Sequence, residues 1–281
     1  MRARVLVGVE VIDQQSMDTA SEKLIEKGYP ALKARIATDL SATGVNRAAY
    51  CPPFRYPGPS DGLAIVRRGC WLAKGDVSRY FFEFPIAKEA YSLFLIVYLS
   101  VWYVFVRCCF GFSPCPYYCS TWSVEFRTWA LSEGIPCSHM VDDWITRRDT
   151  KAEAMANIRR ISKILEIAGF TMGLDKEEVG QRIVFLGLLI DTVRMRVSID
   201  STQAKGFCIQ LQQYLEMLEG DMDVDEGTVR HVCGKLNWYC EVVQSGRVHT
   251  RMWWAYNKHG SHLREREALK DETRWWVRLT A

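Results

Sequence analysis

The chain has 281 residues, 48% hydrophobic and 25% charged, with a formal net charge of +3. That is the composition of a globular protein with a real core, in one large domain or two ordinary ones. So mild a charge does not by itself mark a nucleic-acid binder, but its distribution is uneven. Residues 245–281 hold eight Lys/Arg against four Asp/Glu, and residues 147–163 hold six against two. Local basic faces of this kind can track phosphates, although for either patch alone a solvated helix face is the favoured reading.

The ten cysteines include no CxxC pair, and the loose group His231, Cys233, Cys240 and His249 fits no usual zinc spacing. They read as reduced thiols packed as small apolar residues, which points to an intracellular protein, nuclear or cytoplasmic. The first 30 residues show no signal-peptide apolar region.

In chain order, residues 5–11 suit a strand and residues 19–27 a short helix. Residues 33–39 alternate as a strand with Lys33 and Arg35 on one face. Residues 51–59 hold four of the nine prolines and must form an irregular connector. A helix over 60–67 ends near Gly69, and residues 71–77 enter the core as a strand carrying one acid, Asp76. Residues 90–106 carry no charge over 17 positions, close to the length of a membrane span. Eleven of the 17 are β-branched or aromatic, which favours two buried strands joined near residues 99–101; a spanning helix is the competing reading.

A Gly/Pro loop at 110–116 leads into a helix over 117–133. Thr150 and Glu153 form a capping box, followed by Met155, Ile158, Ile161, Leu165 and Ala168 at helical spacing, and Gly169 stops that helix. Residues 183–191 read as one strongly apolar strand. Helices follow over 201–218, 226–243 and 263–279. The reading is an α/β body followed by a helical tail.

The chemistry centres on His139-Met140-Val141-Asp142-Asp143-Trp144-Ile145. Adjacent carboxylates repel, and burying them unpaired is costly. A tight turn would let both reach one site, and a hard divalent cation would offset the repulsion with oxygen ligands. An Asp-Asp pair alone is more often a surface turn. Asp76, at the end of its apolar strand, supplies a third carboxylate, and the order of strand acid, Gly/Pro loop and acid pair makes coincidence hard to sustain.

At this point the sequence resembles a reverse transcriptase. Lys74-Gly75-Asp76-Val77-Ser78-Arg79-Tyr80-Phe81-Phe82-Glu83-Phe84-Pro85-Ile86 looks like the first palm motif of that family. Phe110-Gly111-Phe112-Ser113-Pro114-Cys115-Pro116 looks like its second, and Met140-Val141-Asp142-Asp143 resembles its aromatic-x-Asp-Asp signature. Gly169 to Lys176 resembles the fourth motif, and Phe185-Leu186-Gly187-Leu188-Leu189-Ile190-Asp191 the primer-grip hairpin. Arg35 to Asp39, continuing to Asn46, resembles the fingers strand. Gly234 to Trp238, Val243 to Arg247 and Asp271 to Trp276 are similar to retrotransposon polymerases of the DIRS-like or LTR type.

The resemblance implies an α+β right-hand polymerase fold, with fingers and an antiparallel palm over 1–200 and a helical thumb and start of the connection over 201–281. It implies an RNA-directed DNA polymerase acting on an RNA or DNA template-primer and dNTPs; a catalytically inactive, nucleic-acid-binding relic is the alternative. Asp76 and Asp142 would hold two Mg²⁺ ions, or Mn²⁺, with Asp143 assisting and Val77 beside them in the metal set. Asp142 should matter more than Asp143, because strand alternation aims only one inward. Phe81 takes the steric-gate position, while alternation assigns Phe82 to the core. Arg35 and Lys33 would meet the triphosphate. Tyr80, Phe110 and Gly111 would line the nucleotide site, with Gly111 allowing close backbone approach. Lys176 would serve the leaving group. RNase H or recombinase regions would lie elsewhere on a longer polyprotein.

Overall fold

The computed structural model describes residues 4–6, 38–98, 101–173, 177–260 and 265–280. Lys33, Arg35 and Lys176 lie outside these residues, as do the helix expected over 19–27 and most of the two N-terminal strands expected there. The described strands form three sheets, two of three strands and one of four. The chain divides into two compact units. One holds residues 1–57, 74–146 and 156–177, and the other 58–73, 147–155 and 178–281. The boundary expected at residue 200 falls inside the second of these.

In the first unit, β1 (Arg4–Leu6) lies parallel to β4 (Val101–Phe105), which pairs antiparallel with β3 (Leu95–Tyr98). This is the hairpin expected from residues 90–106. Its burial is one-sided, however: Phe94, Val104 and Phe105 are buried, whereas Leu95 and Val97 are exposed. Among the described residues no helix is long and apolar enough to cross a membrane. Among the described residues, the short helix α1 (Val45–Ala48) precedes the connector; α2 (Pro59–Leu63), in the second unit, is shorter than expected.

Strand β2 (Trp71–Asp76) carries Leu72 and Ala73 fully buried and ends at Asp76. Helix α3 (Cys115–Ser132) begins two residues earlier than its periodicity suggests, because Pro114 and Pro116 flank its first residue and a proline suits a first helical turn. Strands β5 (Cys137–Met140) and β6 (Asp143–Arg148) form a hairpin registered Cys137↔Thr146 to Met140↔Asp143. Helix α4 (Lys151–Ile167) opens on the expected box: the Thr150 N–H donates to Glu153 Oε2, and the Glu153 N–H donates to Thr150 Oγ1, each at 3.2 Å. It stops at Gly169, which has φ +94°.

In the second unit, residues 183–191 are not one strand. β8 (Arg182–Phe185) and β9 (Leu188–Asp191) pair across Leu186 and Gly187, with φ of 52° and 78°. Two successive left-handed residues make a tight hairpin turn; the apolar run alone suggests one strand, whereas the resemblance of Phe185 to Asp191 to a primer-grip hairpin indicates the turn. β7 (Glu178–Gly180) precedes this hairpin, and β10 (Arg196–Ile199) pairs with β9.

Helix α5 (Ser201–Glu219) is capped by Asp200, whose carboxylate accepts from the N–H groups of Thr202 and Gln203. Helices α6 (Glu226–Tyr239), α7 (Arg251–His259) and α8 (Arg266–Thr280) complete the unit. Phe207, Leu211, Val232, Leu236, Trp253, Leu269 and Trp276 are all completely buried in one helical core. Helix α7 was not expected, since its Trp-Trp pair and short length obscure a period. Leu211→Ala should lower unfolding stability by about 2–5 kcal/mol, read from the denaturant midpoint at an unchanged m-value.

Candidate nucleotidyl-transfer site

The candidate site is built by backbone hydrogen bonds at the ends of strands. The Val77 N–H donates to the Asp142 carbonyl at 2.9 Å, so the end of β2 is bonded to the turn of the β5–β6 hairpin. On the other side, Val77 bridges Met172 antiparallel. The Ser78 N–H donates to the Thr171 carbonyl at 2.8 Å, and the Gly173 N–H donates to the Asp76 carbonyl at 3.0 Å. Asp76 is thereby flanked by the acid turn and by the segment 171–173.

The hairpin turn has two residues, Val141 and Asp142, because Met140 pairs with Asp143. Val141 takes φ +57°. A β-branched residue in this region is costly, of order 1–3 kcal/mol, and persists only where its surroundings enforce it. Here they do: Trp144 and Ile145 are completely buried, Trp144 stacks on His139 at 4.8 Å, and it meets Phe126 edge-on at 5.1 Å. The hairpin is thus anchored just behind its tip. Asp142 and Asp143 remain half-buried, while Asp76 is buried.

Gly173 makes the close approach to Asp76 possible. A Cβ on Gly173 would lie 2.5 Å from Asp76 Oδ1 and 3.3 Å from Ser78 Oγ. Only glycine leaves that carboxylate its position. The sequence contains this glycine in the stretch resembling the fourth motif, but its partner, Asp76, is nearly a hundred positions away and no local pattern reveals it.

The residues after Asp76 do not continue as a strand. Tyr80–Glu83 form a 3₁₀ turn entered through Arg79 at φ 52°. Alternation therefore does not apply, and the assignment of Phe81 and Phe82 to opposite faces is corrected. Both rings are half-buried and both meet Phe110 edge-on, at 5.5 Å and 5.4 Å.

Tyr80 is the interior residue of the three. Its hydroxyl donates to the Cys119 carbonyl at 2.7 Å and contacts the Ser123 hydroxyl, and its ring packs on Phe84 and Phe170. Burial pushes the Tyr80 hydroxyl well above the ordinary tyrosine range; the Ser123 hydrogen bond opposes this, and Cys119 and the Asp142 charge add to it. Tyr80 thus packs within the core beside the site, with its hydroxyl turned to Cys119 and Ser123.

Gly111 also meets a different neighbour from the one expected. Its φ is +101°, and a Cβ there would lie 1.8 Å from the Thr38 carbonyl oxygen. The close approach in this structure is to backbone of the chain itself. The Thr38 N–H and hydroxyl both donate to the Phe110 carbonyl at 2.9 Å. Asn46 then clamps the loop from both sides, donating to the Gly111 carbonyl at 2.8 Å and accepting from the Ser113 N–H at 2.9 Å. Asn46 is visible in the sequence only as the end of a motif; its role depends on a partner 65 residues away.

Cys108, Cys109, Cys115 and Cys119 pack under this loop as free, buried thiols. A Cys115 hydrogen bond and burial push Cys108 far up, so it stays protonated. All ten cysteines are free, and eight are buried.

Among the described residues, no group of three or more His, Cys, Asp or Glu is arranged to hold a metal ion. The donors at hand are hard carboxylate oxygens from two bonded segments. That suits Mg²⁺, which takes one or two carboxylates and completes its shell with waters and substrate phosphates.

No protein-family profile and no curated protein matches the chain. Its solved structural neighbours include foamy viral protease-reverse transcriptase. The dRH form in complex with double-stranded DNA has a TM-score of 0.61 at 17% identity and covers 99% of this chain and 50% of that one. The complex with an RNA/DNA hybrid has a TM-score of 0.61 at 16% identity, covering 99% and 38%. A further double-stranded DNA complex has a TM-score of 0.59 at 18% identity, covering 100% and 59%. The chain therefore spans about half the length, or less, of the first solved structures it resembles.

Gly111→Ala should destabilise the protein by more than about 1 kcal/mol, since it adds backbone strain to a clash with the Thr38 carbonyl. Urea unfolding checks this, with Gly134→Ala as the comparison, because that glycine also has positive φ but open space around it. At the level of architecture, a mixed α/β chain with antiparallel pairing at its acid turn has a reverse-transcriptase-like fold.

Proposed function

We propose that this chain is the RNA-directed DNA polymerase portion of a retroelement of the DIRS-like or LTR type, extending a primer 3′-hydroxyl with dNTPs on an RNA or DNA template. The observation that carries this reading is the bond from the Val77 N–H to the Asp142 carbonyl, which joins the strand ending in Asp76 to the turn carrying Asp142 and Asp143. Solved structures of similar fold are complexes of a reverse transcriptase with double-stranded DNA or an RNA/DNA hybrid, which supports nucleic acid as the partner. Fingers, palm and thumb, as named parts, belong to this reading.

In this reading Asp76, Asp142 and Asp143, with Val77 beside them, hold two Mg²⁺ ions, or Mn²⁺. Bound there, the cations would activate the primer hydroxyl and neutralise charge on the departing pyrophosphate. The chain's own contribution is positional. Gly173 keeps Asp76 in place, the strained Val141 turn presents Asp142, and Trp144 fixes the hairpin. Phosphoryl transfer rewards this, because it depends on positioning and charge neutralisation more than on covalent chemistry. Phe81 and Phe110 form the ring pair beside the site, with Phe81 excluding a 2′-hydroxyl. Arg35 and Lys33 bind the triphosphate, Lys176 serves the leaving group, and Arg247 and Arg251 contact phosphates of the template-primer.

A second reading is a catalytically silent polymerase fold that binds nucleic acid. It is favoured by the absence, among the described residues, of a three-donor metal group. Primer extension on a homopolymer RNA template with Mg²⁺ or Mn²⁺ separates the two, since a silent fold retains template binding without product.

Asp142→Asn should reduce extension by about a thousandfold or more, because several kcal/mol of transition-state charge stabilisation depends on it. Asp143→Asn should cost less. Equal activity in both variants and the unsubstituted chain would sink the metal assignment. Gly173→Ala should also abolish extension by displacing the Asp76 carboxylate, while template affinity holds.

Phe81→Ala should narrow the dNTP/rNTP ratio of kcat/KM, mainly by raising rNTP use. Phe82 shares the Phe110 contact, so Phe82→Ala is the necessary control. A ratio that moves with Phe82 and not with Phe81 would reassign the gate.

A further inference from the structure

Helix α7 presents two unlike faces. Trp253 and Tyr256 are buried against the helical core, whereas Arg251, Trp254 and Lys258 are exposed. At 3.6 residues per turn, positions 251, 254 and 258 fall within about 60° of one another and span roughly 10 Å along the axis. A tryptophan thus sits between two cations on one stripe. Trp254 is 48% exposed. The other aromatics around it are spent on each other: Trp253 meets Tyr256, Trp275 stacks on His249 at 4.0 Å, and Trp275 meets Trp276. Trp254 has no such ring partner among the described residues.

The surroundings of the stripe are cationic. His259 is exposed at its C-terminal end, and Arg247, on the preceding turn, keeps a side chain that is 75% exposed and makes only a 3.5 Å contact with Glu241. Nearby acids are already engaged. Glu272 is buried and accepts from the Met252 N–H at 2.9 Å, and Asp271 pairs with Arg274. Exposing so large an apolar ring forfeits its burial, so the stripe calls for a partner that is flat and apolar on its face and anionic along its edge. Unpaired nucleotides meet both demands, because every base offers a π-face and every linkage a phosphate.

We propose that the exposed face of α7 is a stacking site for an unpaired base of a single-stranded nucleic acid, with Trp254 supplying the ring and Arg251 and Lys258 the flanking phosphate contacts. This shares with the polymerase reading the class of partner and the phosphate contact at Arg251, and does not depend on catalysis.

Fluorescence anisotropy of a short labelled oligothymidylate, titrated with the full chain, tests the site. Trp254→Ala should weaken binding about 5- to 150-fold, and Trp254→Phe by no more than about threefold, since the smaller ring still stacks. Arg251→Gln and Lys258→Gln should each lower the slope of log K against log salt by about 0.7. A blunt duplex of equal length should lose less than about twofold with Trp254→Ala, because its bases are already stacked.

Equal loss on both probes, or unchanged affinity for the single strand, overturns the proposal. If Trp254→Ala instead converts a dimer to a monomer in sedimentation with oligonucleotide affinity unchanged, the face is a self-association surface and the proposal falls. If the unsubstituted chain fails to extend primers yet binds the single strand through Trp254, the stacking site stands and the polymerase reading falls.

Discussion

One backbone hydrogen bond organises the candidate site. The Val77 N–H reaches the Asp142 carbonyl, and with it a strand end and a hairpin tip that are 65 positions apart become one surface. The strand end carrying Asp76 and the turn carrying Asp142 and Asp143 are thereby bonded backbone to backbone. The junction is rigid. Val141 is held at φ +57°, Trp144 is locked between His139 and Phe126, and Gly173, having no Cβ, leaves the Asp76 carboxylate its room.

The loop at 108–115 depends on a second constraint of the same type. Its conformation is set at Gly111 by the Thr38 backbone and at both shoulders by Asn46. The loop in turn carries Phe110, on which Phe81 and Phe82 both rest. The Cys108 N–H donates to the Phe84 carbonyl and the Ile86 N–H to the Val106 carbonyl, so the turn after Asp76 and the start of this loop are bonded strand to strand. A change in the Thr38–Asn46 segment would therefore reach the rings beside the acids through three contacts, none of which involves a charge.

Features with local causes were legible in the sequence. The Thr150–Glu153 box, the spacing of Ile158, Ile161 and Leu165, and the buried stripe of Val229, Val232, Leu236 and Tyr239 all lie within a few turns of chain, and the helices form there. The turn at Asp142 and Asp143 was also legible, because an adjacent acid pair between apolar residues marks a turn without coordinates. What failed rested on an assumed regular backbone. Alternation was extended through Tyr80–Glu83, where a 3₁₀ turn removes it, and the apolar run 183–191 reads as one strand, where two positive φ angles make a hairpin that only the family resemblance indicates. What could not be seen at all was long-range: the partners of Gly173, Gly111 and Asn46, and the inward position of Tyr80.

The helical unit shows how a hairpin of weak intrinsic stability is held in register. The Leu186–Gly187 turn exposes backbone carbonyls that no strand can pair, and the Trp238 indole N–H donates to the Leu186 carbonyl at 3.0 Å from helix α6. One turn earlier on that helix, Lys235 lies 4.7 Å from the Phe207 ring on α5, and desolvation there lowers its pKa. The same turn packs tightly against α5 from the other side, since a Cβ on Gly187 would meet the Gln203 side chain at 2.5 Å. The hairpin is extended to a three-stranded sheet by β10, and these contacts fix its turn against the helices. Any function of the hairpin tip is consequently tied to the packing of α5 against α6, and a lesion in that core would be felt at the tip before it unfolded the unit.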